Sequence, residues 1–316
     1  MLHNSPYVRK PASVTTVMLK VLLALLPGIA AFVWQFGPDI LVRLFAATLT
    51  ALACEALMLR ARGKPVKLFL SDLSAVVTAW LVALAFPSIA PLWLIITATA
   101  LAIVVAKHLY GGLGQNVFNP AMVAYAIMIV AFPSQMSQWP SALPDAITSA
   151  TPLDTLRTGL RAADATVAGV MSNAEVFGAL AGRGWEWVAG GFALGGLWLM
   201  QQRVITWHIP VAFLGVLSLF SGAFWLADSA HYASPVLHLM AGGSMLGAFF
   251  IFTDPVSACT TPRGKLIYAA GAAILVYLIR VFGSYPDGVA FATLLMNICV
   301  PLIDMKTQPP VFGHKN

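Results

Sequence analysis

Apolar residues run in long blocks along this chain, and short polar turns separate one block from the next. A membrane-spanning helix needs about 20 consecutive apolar residues, and ten blocks approach that length. The turns between them carry glycine, proline and charged residues. The pattern therefore predicts an all-α polytopic membrane protein with about ten transmembrane helices, near 15–36, 39–59, 68–86, 90–107, 117–132, 186–202, 208–226, 234–252, 266–282 and 288–304.

Composition supports a membrane location. Hydrophobic residues make up 59% of the 316 residues and charged residues only 9%, whereas a soluble domain carries roughly a quarter charged residues. The net charge of +6 does not indicate nucleic-acid binding, because basic residues in a membrane protein usually mark its cytoplasmic loops. The three cysteines lie far apart in the chain, so neither a disulfide framework nor a metal site is expected.

Lysine and arginine are distributed unequally between the two sides of the predicted membrane domain. With ten spans and a cytoplasmic N-terminus, the outer side receives only four arginines, and most other basic residues face the cytoplasm. The positive-inside rule therefore predicts a bacterial inner-membrane protein with both termini in the cytoplasm and residues 133–185 in the periplasm. Lys20 and Arg43 fall inside the first two spans, where their side chains either extend towards the lipid headgroups or form buried functional charges.

The two predicted membrane halves, residues 1–132 and 186–316, share features in the same order. The third span of each half ends close to a proline, Pro87 in the first and Pro255 in the second. The fifth span of each half follows a glycine-containing turn and carries an asparagine and a proline. Because five spans is an odd number, the second half would be inverted relative to the first, as in many transporters. We therefore expect two inverted five-helix repeats on either side of a periplasmic loop, 133–185.

That loop contains a polar stretch at 145–151 with three hydroxyl residues close together. No histidine lies nearby in the sequence, so a Ser-His-Asp triad has no support, and the ordinary interpretation is a solvated turn. Thr151, however, precedes a proline, which favours an extended backbone, and a slim extended segment can enter the pocket of a modifying enzyme. Since the loop is rich in proline and poor in large apolar residues, we expect partners rather than a core of its own to order it.

The same stretch resembles a flavinylation motif. Asp145 to Thr151 read D-x-x-[ST]-x-A-T, the pattern recognised by the flavin transferase that links FMN to threonine. In proteins with this motif the last threonine accepts the FMN phosphate in a phosphoester bond. The resemblance implies Thr151 as the attachment residue and Asp145, Thr148 and Ser149 as recognition residues. Ser149 stands where the usual motif has glycine. That glycine helps the motif to fit closely in the transferase, so Ser149 is a departure from the usual pattern.

Three further stretches, 111–121, 253–258 and 294–297, resemble the same proteins. Together with the flavinylation motif they identify the chain as similar to the family that contains the RnfD component of the Rnf complex and the NqrB component of the sodium-pumping NADH:quinone oxidoreductase. The resemblance covers nearly the whole chain. The length of this chain is closer to that of the Rnf component than to that of the longer quinone-reductase component.

The resemblance implies a membrane electron-transfer flavoprotein, one subunit of an ion-translocating ferredoxin:NAD oxidoreductase, with FMN covalently held by Thr151. It implies a second, non-covalent flavin such as riboflavin among the spans. It also implies partners, namely the other membrane and the flavin or iron–sulfur subunits of the Rnf complex, and a flavin transferase for maturation. No complete activity is expected of this chain alone, because the sequence carries neither a Walker A loop nor a well-placed Rossmann glycine motif.

Polar residues within or beside the apolar blocks are candidates for a site inside the membrane. A polar side chain in apolar surroundings needs a partner, and amides can pair with the donors and acceptors of a flavin ring. A second flavin site or an ion site is one interpretation. The other is that the asparagines cap broken helices and that the aspartate caps a helix or faces the cytoplasm. The candidates are Asn116, Asn119, Asp254 and Asn297.

A different class of function also fits the hydropathy pattern. An inverted five-span repeat with broken helices is typical of solute transporters and channels. A covalent flavin separates the two classes, because the band of a flavoprotein fluoresces under ultraviolet light in a denaturing gel and that of a plain channel does not.

Overall fold

The computed structural model describes residues 13–143, 146–162 and 164–309, and this part of the chain is mostly helical. A π-helical turn, Ala102–His108, extends the fifth helix. The helices of the first half are α1 (Val14–Phe36), α2 (Asp39–Ala61), α3 (Val66–Leu70), α4 (Ser74–Ala85), α5 (Leu92–Leu101) and α6 (Pro120–Ala131).

A segment of short helices and two short strands follows. Two short strands pair antiparallel, with Trp139 opposite Ser149 and Pro140 opposite Thr148. The elements of this segment are α7 (Pro133–Met136), β1 (Trp139–Pro140), β2 (Thr148–Ser149), α8 (Pro152–Gly159) and α9 (Val167–Asn173).

The second half is again helical, and another π-helical turn, Gly247–Ile251, extends α13. Its helices are α10 (Trp185–Gln201), α11 (His208–Ala227), α12 (Pro235–Met240), α13 (Ser244–Leu246), α14 (Pro262–Phe282) and α15 (Val289–Thr307).

Within the described ranges, five helices are long and apolar enough to cross a membrane, namely α1, α2, α11, α14 and α15. Helix lies in each of the other predicted spans too, but there it is shorter or interrupted. These apolar helices make the chain a helical membrane protein. The total of ten crossings remains a prediction.

The third predicted span of each half is broken, whereas the sequence pattern predicts one continuous helix. α3 and α4 are separated by Leu73, whose φ is 65°, and α12 and α13 are separated by Gly242, whose φ is 63°. A left-handed residue ends a right-handed helix. The next helix then begins with free N–H groups. The carboxylate of Asp72 accepts the backbone N–H of Ser74 at 2.7 Å, and the carboxylate of Asp287 accepts the backbone N–H of Gly243 at 2.6 Å.

The two halves pack directly against each other through α1 and α10. A β-carbon on Gly195 would overlap the backbone carbonyl of Ala24, and one on Gly191 would lie 2.7 Å from Cα of Gly28. The absence of side chains therefore lets the two backbones touch, as small residues do between helices in membranes. α6 and α15 form a second contact between the halves, and one apolar core runs through both.

The basic residues predicted to lie inside the first two spans find protein partners. Lys20 Nζ donates to the side-chain oxygen of Gln202 at 3.1 Å, and Arg43 Nη2 donates to the carbonyl of Ala90 at 2.7 Å. These contacts are consistent with charges near the helix ends, where long side chains reach polar groups.

The 133–185 segment contributes to a small apolar cluster that it shares with the second half, and the ordering of this segment by partners stays a prediction. Leu153, Leu156, Val167 and Phe177 are buried there, together with residues of 233–241. The contacts come from residues far apart in the segment and from the second half, and composition alone could not reveal that they meet.

Candidate functional site

Thr151 occupies the N-cap of α8. Its backbone is extended, with φ −67° and ψ 155°, and Pro152 follows as the first helical residue. The expected extended conformation is thus confirmed. Its Oγ1 accepts the backbone N–H of Asp154 at 3.3 Å, and its side chain is half-buried. The hydroxyl therefore lies at the positive end of a helix dipole, which favours a negatively charged neighbour.

The other residues of the flavinylation motif lie just before this cap. Thr148 is exposed and Ser149 is half-buried, and both belong to β2. Asp145 lies outside the described residues. The two-residue strand holds this part of the motif in extended form, so the motif runs from a hairpin into a helix start.

Thr151 opens onto a cavity of about 500 Å³, which we call the Thr151 cavity. Its volume is within the range of small-molecule sites, roughly 300–1,000 Å³. Aromatic and aliphatic side chains form most of its wall, and the polar groups gather on the side of α8 and the loop before α15. Its aromatic residues are Phe32, Tyr125, Trp139, Trp185, Phe192 and Tyr285.

Charged groups at this cavity are fixed by ion pairs with one another and by backbone carbonyls. Arg157 Nη2 donates to Asp154 at 3.0 Å, and Nη1 donates to the carbonyl of Ser284. Asp287 accepts from Arg280 Nη2 at 3.0 Å and Nε at 3.2 Å. Arg280 in turn donates to carbonyls at the break between α12 and α13. The polar edge is thus tied both to α8 and to the broken helix.

The structure brings Asn119 and Asn297 together. The backbone N–H of Asn119 donates to Asn297 Oδ1 at 3.0 Å. Asn119 Oδ1 caps α6 by accepting the N–H groups of Ala121 and Met122 at 3.1 and 3.3 Å. Asn297 Nδ2 donates to the carbonyl of Ser257 at 2.9 Å. Asn119 therefore caps α6, as the capping interpretation predicts, whereas Asn297 bonds the backbone of Asn119 and a carbonyl in the loop before α14.

Asn116, Asn119 and Asp254 line a second space of about 190 Å³, which we call the Asn119 cavity. Asn297 is not part of its wall. Asn116 Nδ2 makes only a local bond, to the carbonyl of Phe118 at 3.0 Å. Asp254 Oδ2 accepts from the hydroxyl of Ser257 at 2.7 Å. This space is smaller than a typical site for a drug-sized ligand, and Asn116 and Asp254 keep polar capacity beside it.

The Asn119 cavity and the Thr151 cavity are close neighbours. Ala121 and Phe250 line the Asn119 cavity, and the residues that follow them, Met122 and Ile251, line the Thr151 cavity. The start of α6 and the π-helical turn after α13 therefore stand between them. Thr151 lines one cavity, and Asn116, Asn119 and Asp254 line the other, so the sequence-predicted residues form separate sites.

Sequence reasoning missed a buried charged cluster near the Asn119 cavity. Lys107 Nζ lies 3.0 and 2.9 Å from the two carboxylate oxygens of Glu55 and 2.9 Å from Ser74 Oγ. His108 Nε2 lies 3.1 Å from the same carboxylate. A glutamate inside an apolar block is the signal that could have revealed it. In the described part of the chain, no group of three or more His, Cys, Asp or Glu residues is arranged to hold a metal ion.

Comparison with known proteins gives consistent relatives. The sequence profile of the NQR2, RnfD, RnfE family matches residues 1–313. Proteins named as the D component of an ion-translocating oxidoreductase complex, from Salmonella typhi and from Aeromonas hydrophila subsp. hydrophila, are each 47% identical to this chain over an alignment 347 positions long, gaps included. The alignments cover 99% of this chain, and 98% and 99% of the respective relatives.

Proposed function

Because this chain belongs to the NQR2, RnfD, RnfE family, we propose that it is the membrane electron-transfer subunit of an Rnf-type complex. Such a complex moves electrons between ferredoxin and NAD and translocates ions. The similarity to proteins named as parts of an ion-translocating oxidoreductase complex supports a role within an assembly. The other Rnf subunits would supply the sites for NAD and ferredoxin.

FMN bound covalently to Thr151 is the central part of this proposal. The observation that carries it is a motif threonine at the start of α8, facing a cavity of about 500 Å³. The phosphoester would place a negative charge at the positive end of the α8 dipole, where anions are favoured. A flavin transferase would make the bond, using 145–151 as its recognition segment despite serine at position 149.

The residues of the Thr151 cavity fit an isoalloxazine ring. Aromatic side chains such as Trp139 and Trp185, whose ring centroids are 5.4 Å apart, provide flat apolar surfaces and exclude water. Asp154 and Arg157 provide polar groups near the attachment point. When bound, FMN supplies one-electron chemistry, and the protein supplies its position and polarity.

A non-covalent flavin such as riboflavin is proposed for the Asn119 cavity, with an ion as the other occupant that its chemistry allows. Asn116 and Asp254 are the predicted residues with polar groups left for a ligand. Asn119 would position the wall rather than recognise the ligand, and Asn297 would hold Asn119 in place. The small volume of this cavity means that a whole flavin needs its walls to open, whereas an ion does not.

The proposed topology has ten crossings, arranged as two inverted repeats, 1–132 and 186–316. The similar breaks in the third span of each half support it, as do the contacts of α1 with α10 and of α6 with α15. Both termini would lie in the cytoplasm and 133–185 in the periplasm, across a bacterial inner membrane. A phosphatase fused near position 160 should then be active and a cytoplasmic fluorophore fused at 316 should fluoresce. The reverse pattern would contradict this orientation.

In-gel fluorescence tests the proposed function. The complex is produced with its flavin transferase and separated in a denaturing gel, where the band of this protein should fluoresce under ultraviolet light. A matched preparation made without the transferase should give a dark band. A dark band in both preparations would favour the alternative, an inverted-repeat solute transporter or channel.

A further inference from the structure

The cluster around Glu55 is costly to place in a membrane domain. The side chains of Glu55 and Lys107 are each 3% exposed and that of His108 is 1% exposed. A buried ion pair contributes little net stability, because apolar residues of the same shape often serve as well. Ionisable groups inside a membrane commonly belong to ion or proton pathways. Stability alone therefore does not account for this cluster.

The backbone departs from regular helix geometry to form it. Lys107 and His108 end the π-helical turn that extends α5. Successive residues of an α-helix point about 100° apart, so two neighbours rarely approach the same carboxylate. Here both contact Glu55. Short π-helical turns occur frequently at functional sites, and this one places two proton-carrying side chains against one acceptor.

One end of the cluster reaches the protein surface. Exposed Arg62 has its Nη1 3.3 Å from His108 Nδ1. Arginine can only donate, so His108 Nδ1 accepts and the neutral ring carries its proton on Nε2, facing Glu55. Gly112 leaves room for this contact, since a β-carbon there would lie 3.1 Å from Arg62 Nη1. Arg62 therefore covers the outer nitrogen of a buried histidine.

The other end of the cluster reaches the Asn119 cavity. Lys107 and Ser74 both line it. The three N–H groups of the Lys107 ammonium are matched by two Glu55 oxygens and Ser74 Oγ. Two further carboxylates lie nearby: Asp72, which accepts the backbone N–H of Ser74, and Asp254 on the cavity wall. Contacts of 2.9 to 3.3 Å therefore connect the surface at Arg62 with the cavity. At His108 Nε2 the contact with Glu55 is not aligned as a hydrogen bond, so the ring must tilt before its proton is transferred.

We propose that His108, Glu55 and Lys107 form a proton relay from the surface beside Arg62 to the Asn119 cavity. The proposal rests on the proposed flavin in that cavity, whose ring takes up protons when the partner redox subunits deliver electrons to it.

The relay conserves protons and charge. Lys107 Nζ gives one proton to the cavity through Ser74 Oγ, which accepts that proton and releases its own. When Arg62 swings away, His108 Nδ1 takes a proton from surface water, and the ring then releases its Nε2 proton to the Glu55 carboxylate, which passes it to the neutral Lys107 amine. The ring is left with its proton on Nδ1, and exchange of that proton with water, lost from Nδ1 and regained on Nε2, restores the starting tautomer. One proton has then moved from water to the cavity.

His108→Ala is the cleanest test, because it removes the relay without leaving a buried charge unpaired. In the intact complex, a pH-indicator dye reports proton uptake after stepwise reduction. The variant should take up protons roughly 100-fold more slowly, and added imidazole should restore the rate. His231→Ala is the matched control, because His231 is exposed and contacts only Asp228 in the loop after α11. If His108→Ala takes up protons at the wild-type rate while riboflavin is still extractable, the relay is wrong and the proposed flavin site stands.

A second pair of measurements covers the remaining outcomes. Glu55→Gln with Lys107→Gln keeps the site neutral and should slow uptake equally, without rescue by imidazole; a normal rate would overturn the proposal. Nitrogen-15 spectra of flavin-free protein, assigned by comparison with His108→Ala, should show neutral His108 with its proton on Nε2. A charged ring or the other tautomer would contradict the mechanism. Wild-type complex without extractable riboflavin would remove both the relay and the flavin proposed for this cavity.

Discussion

Asn119 and Asn297 lie 178 positions apart in the chain, yet the backbone N–H of Asn119 donates a hydrogen bond of 3.0 Å to Asn297 Oδ1. Asn119 begins α6 in the first half, and Asn297 lies within α15 in the second. The side-chain amide of Asn297 also holds the Ser257 carbonyl at 2.9 Å. One side chain thus joins the two halves and the loop that precedes α14.

Asn297→Leu should destabilise the protein. It leaves the N–H of Asn119 and the carbonyl of Ser257 unpaired, at a cost of roughly 1–3 kcal/mol for each buried group. The melting temperature of the purified complex should fall. Asn116→Leu is the matched control, since Asn116 bonds only to the nearby Phe118 carbonyl, and its melting temperature should stay close to wild type. Its extractable riboflavin should nevertheless fall if the Asn119 cavity holds a flavin. An unchanged melting temperature in Asn297→Leu would contradict the structural role of Asn297. An unchanged amount of extractable riboflavin in Asn116→Leu would contradict the flavin site in the Asn119 cavity.

Thr151→Ala should abolish in-gel flavin fluorescence from this protein, because the variant has no oxygen to form the phosphoester. The change also removes the N-cap of α8, at about 1 kcal/mol, so insertion should be checked by the amount of the protein in the membrane. Thr148→Ala removes an exposed hydroxyl that makes no cap and should retain most of the fluorescence. If the Thr151→Ala band still fluoresces, Thr151 is not the attachment residue.

Gly195→Ala should prevent normal packing of α1 on α10, since its β-carbon would overlap the backbone carbonyl of Ala24. Backbone cannot move aside as a flexible side chain can, so the expected result is loss of folded protein in size-exclusion chromatography. Gly190→Ala is the control from the same helix, because a β-carbon there meets nothing within 4 Å. Equal yields of monodisperse protein from both variants would show that the two helices are not in backbone contact.

Phe177→Ala should loosen the 133–185 segment without unfolding the membrane helices. Removing a buried phenylalanine costs about 3 kcal/mol, and Phe177 belongs to the small apolar cluster of this segment. Limited proteolysis should therefore cut the segment faster than in wild type. Leu180→Ala, which alters a side chain that is 51% exposed, should be cut at the wild-type rate. If wild-type protein outside the complex is cut as fast as Phe177→Ala, partners rather than this cluster order the segment.

Short stretches of sequence were enough to establish the helical membrane class, the positions of the apolar segments and the attachment candidate. Hydropathy is a property of contiguous residues, so blocks such as 15–36 and 208–226 reappear as α1 and α11. The extended backbone of Thr151 follows from the proline beside it, and is equally local. The flavinylation motif is one unbroken stretch, which is why it could be recognised without a structure.

The helix break at Gly242 and the partners of the buried polar groups depend instead on packing in three dimensions. At Gly242 the new helix end is satisfied by Asp287, 44 positions away in the chain, so that break depends on tertiary packing. At Leu73 the carboxylate is local, because Asp72 lies two positions before Ser74. Sequence left two interpretations of Asn297 open, and its contacts with Asn119 and Ser257 show which groups it serves. The pair of Glu55 and Lys107 joins positions 52 residues apart. Such partners are selected by tertiary packing and by the cost of leaving a buried charge unpaired, neither of which is written in any short stretch of the chain.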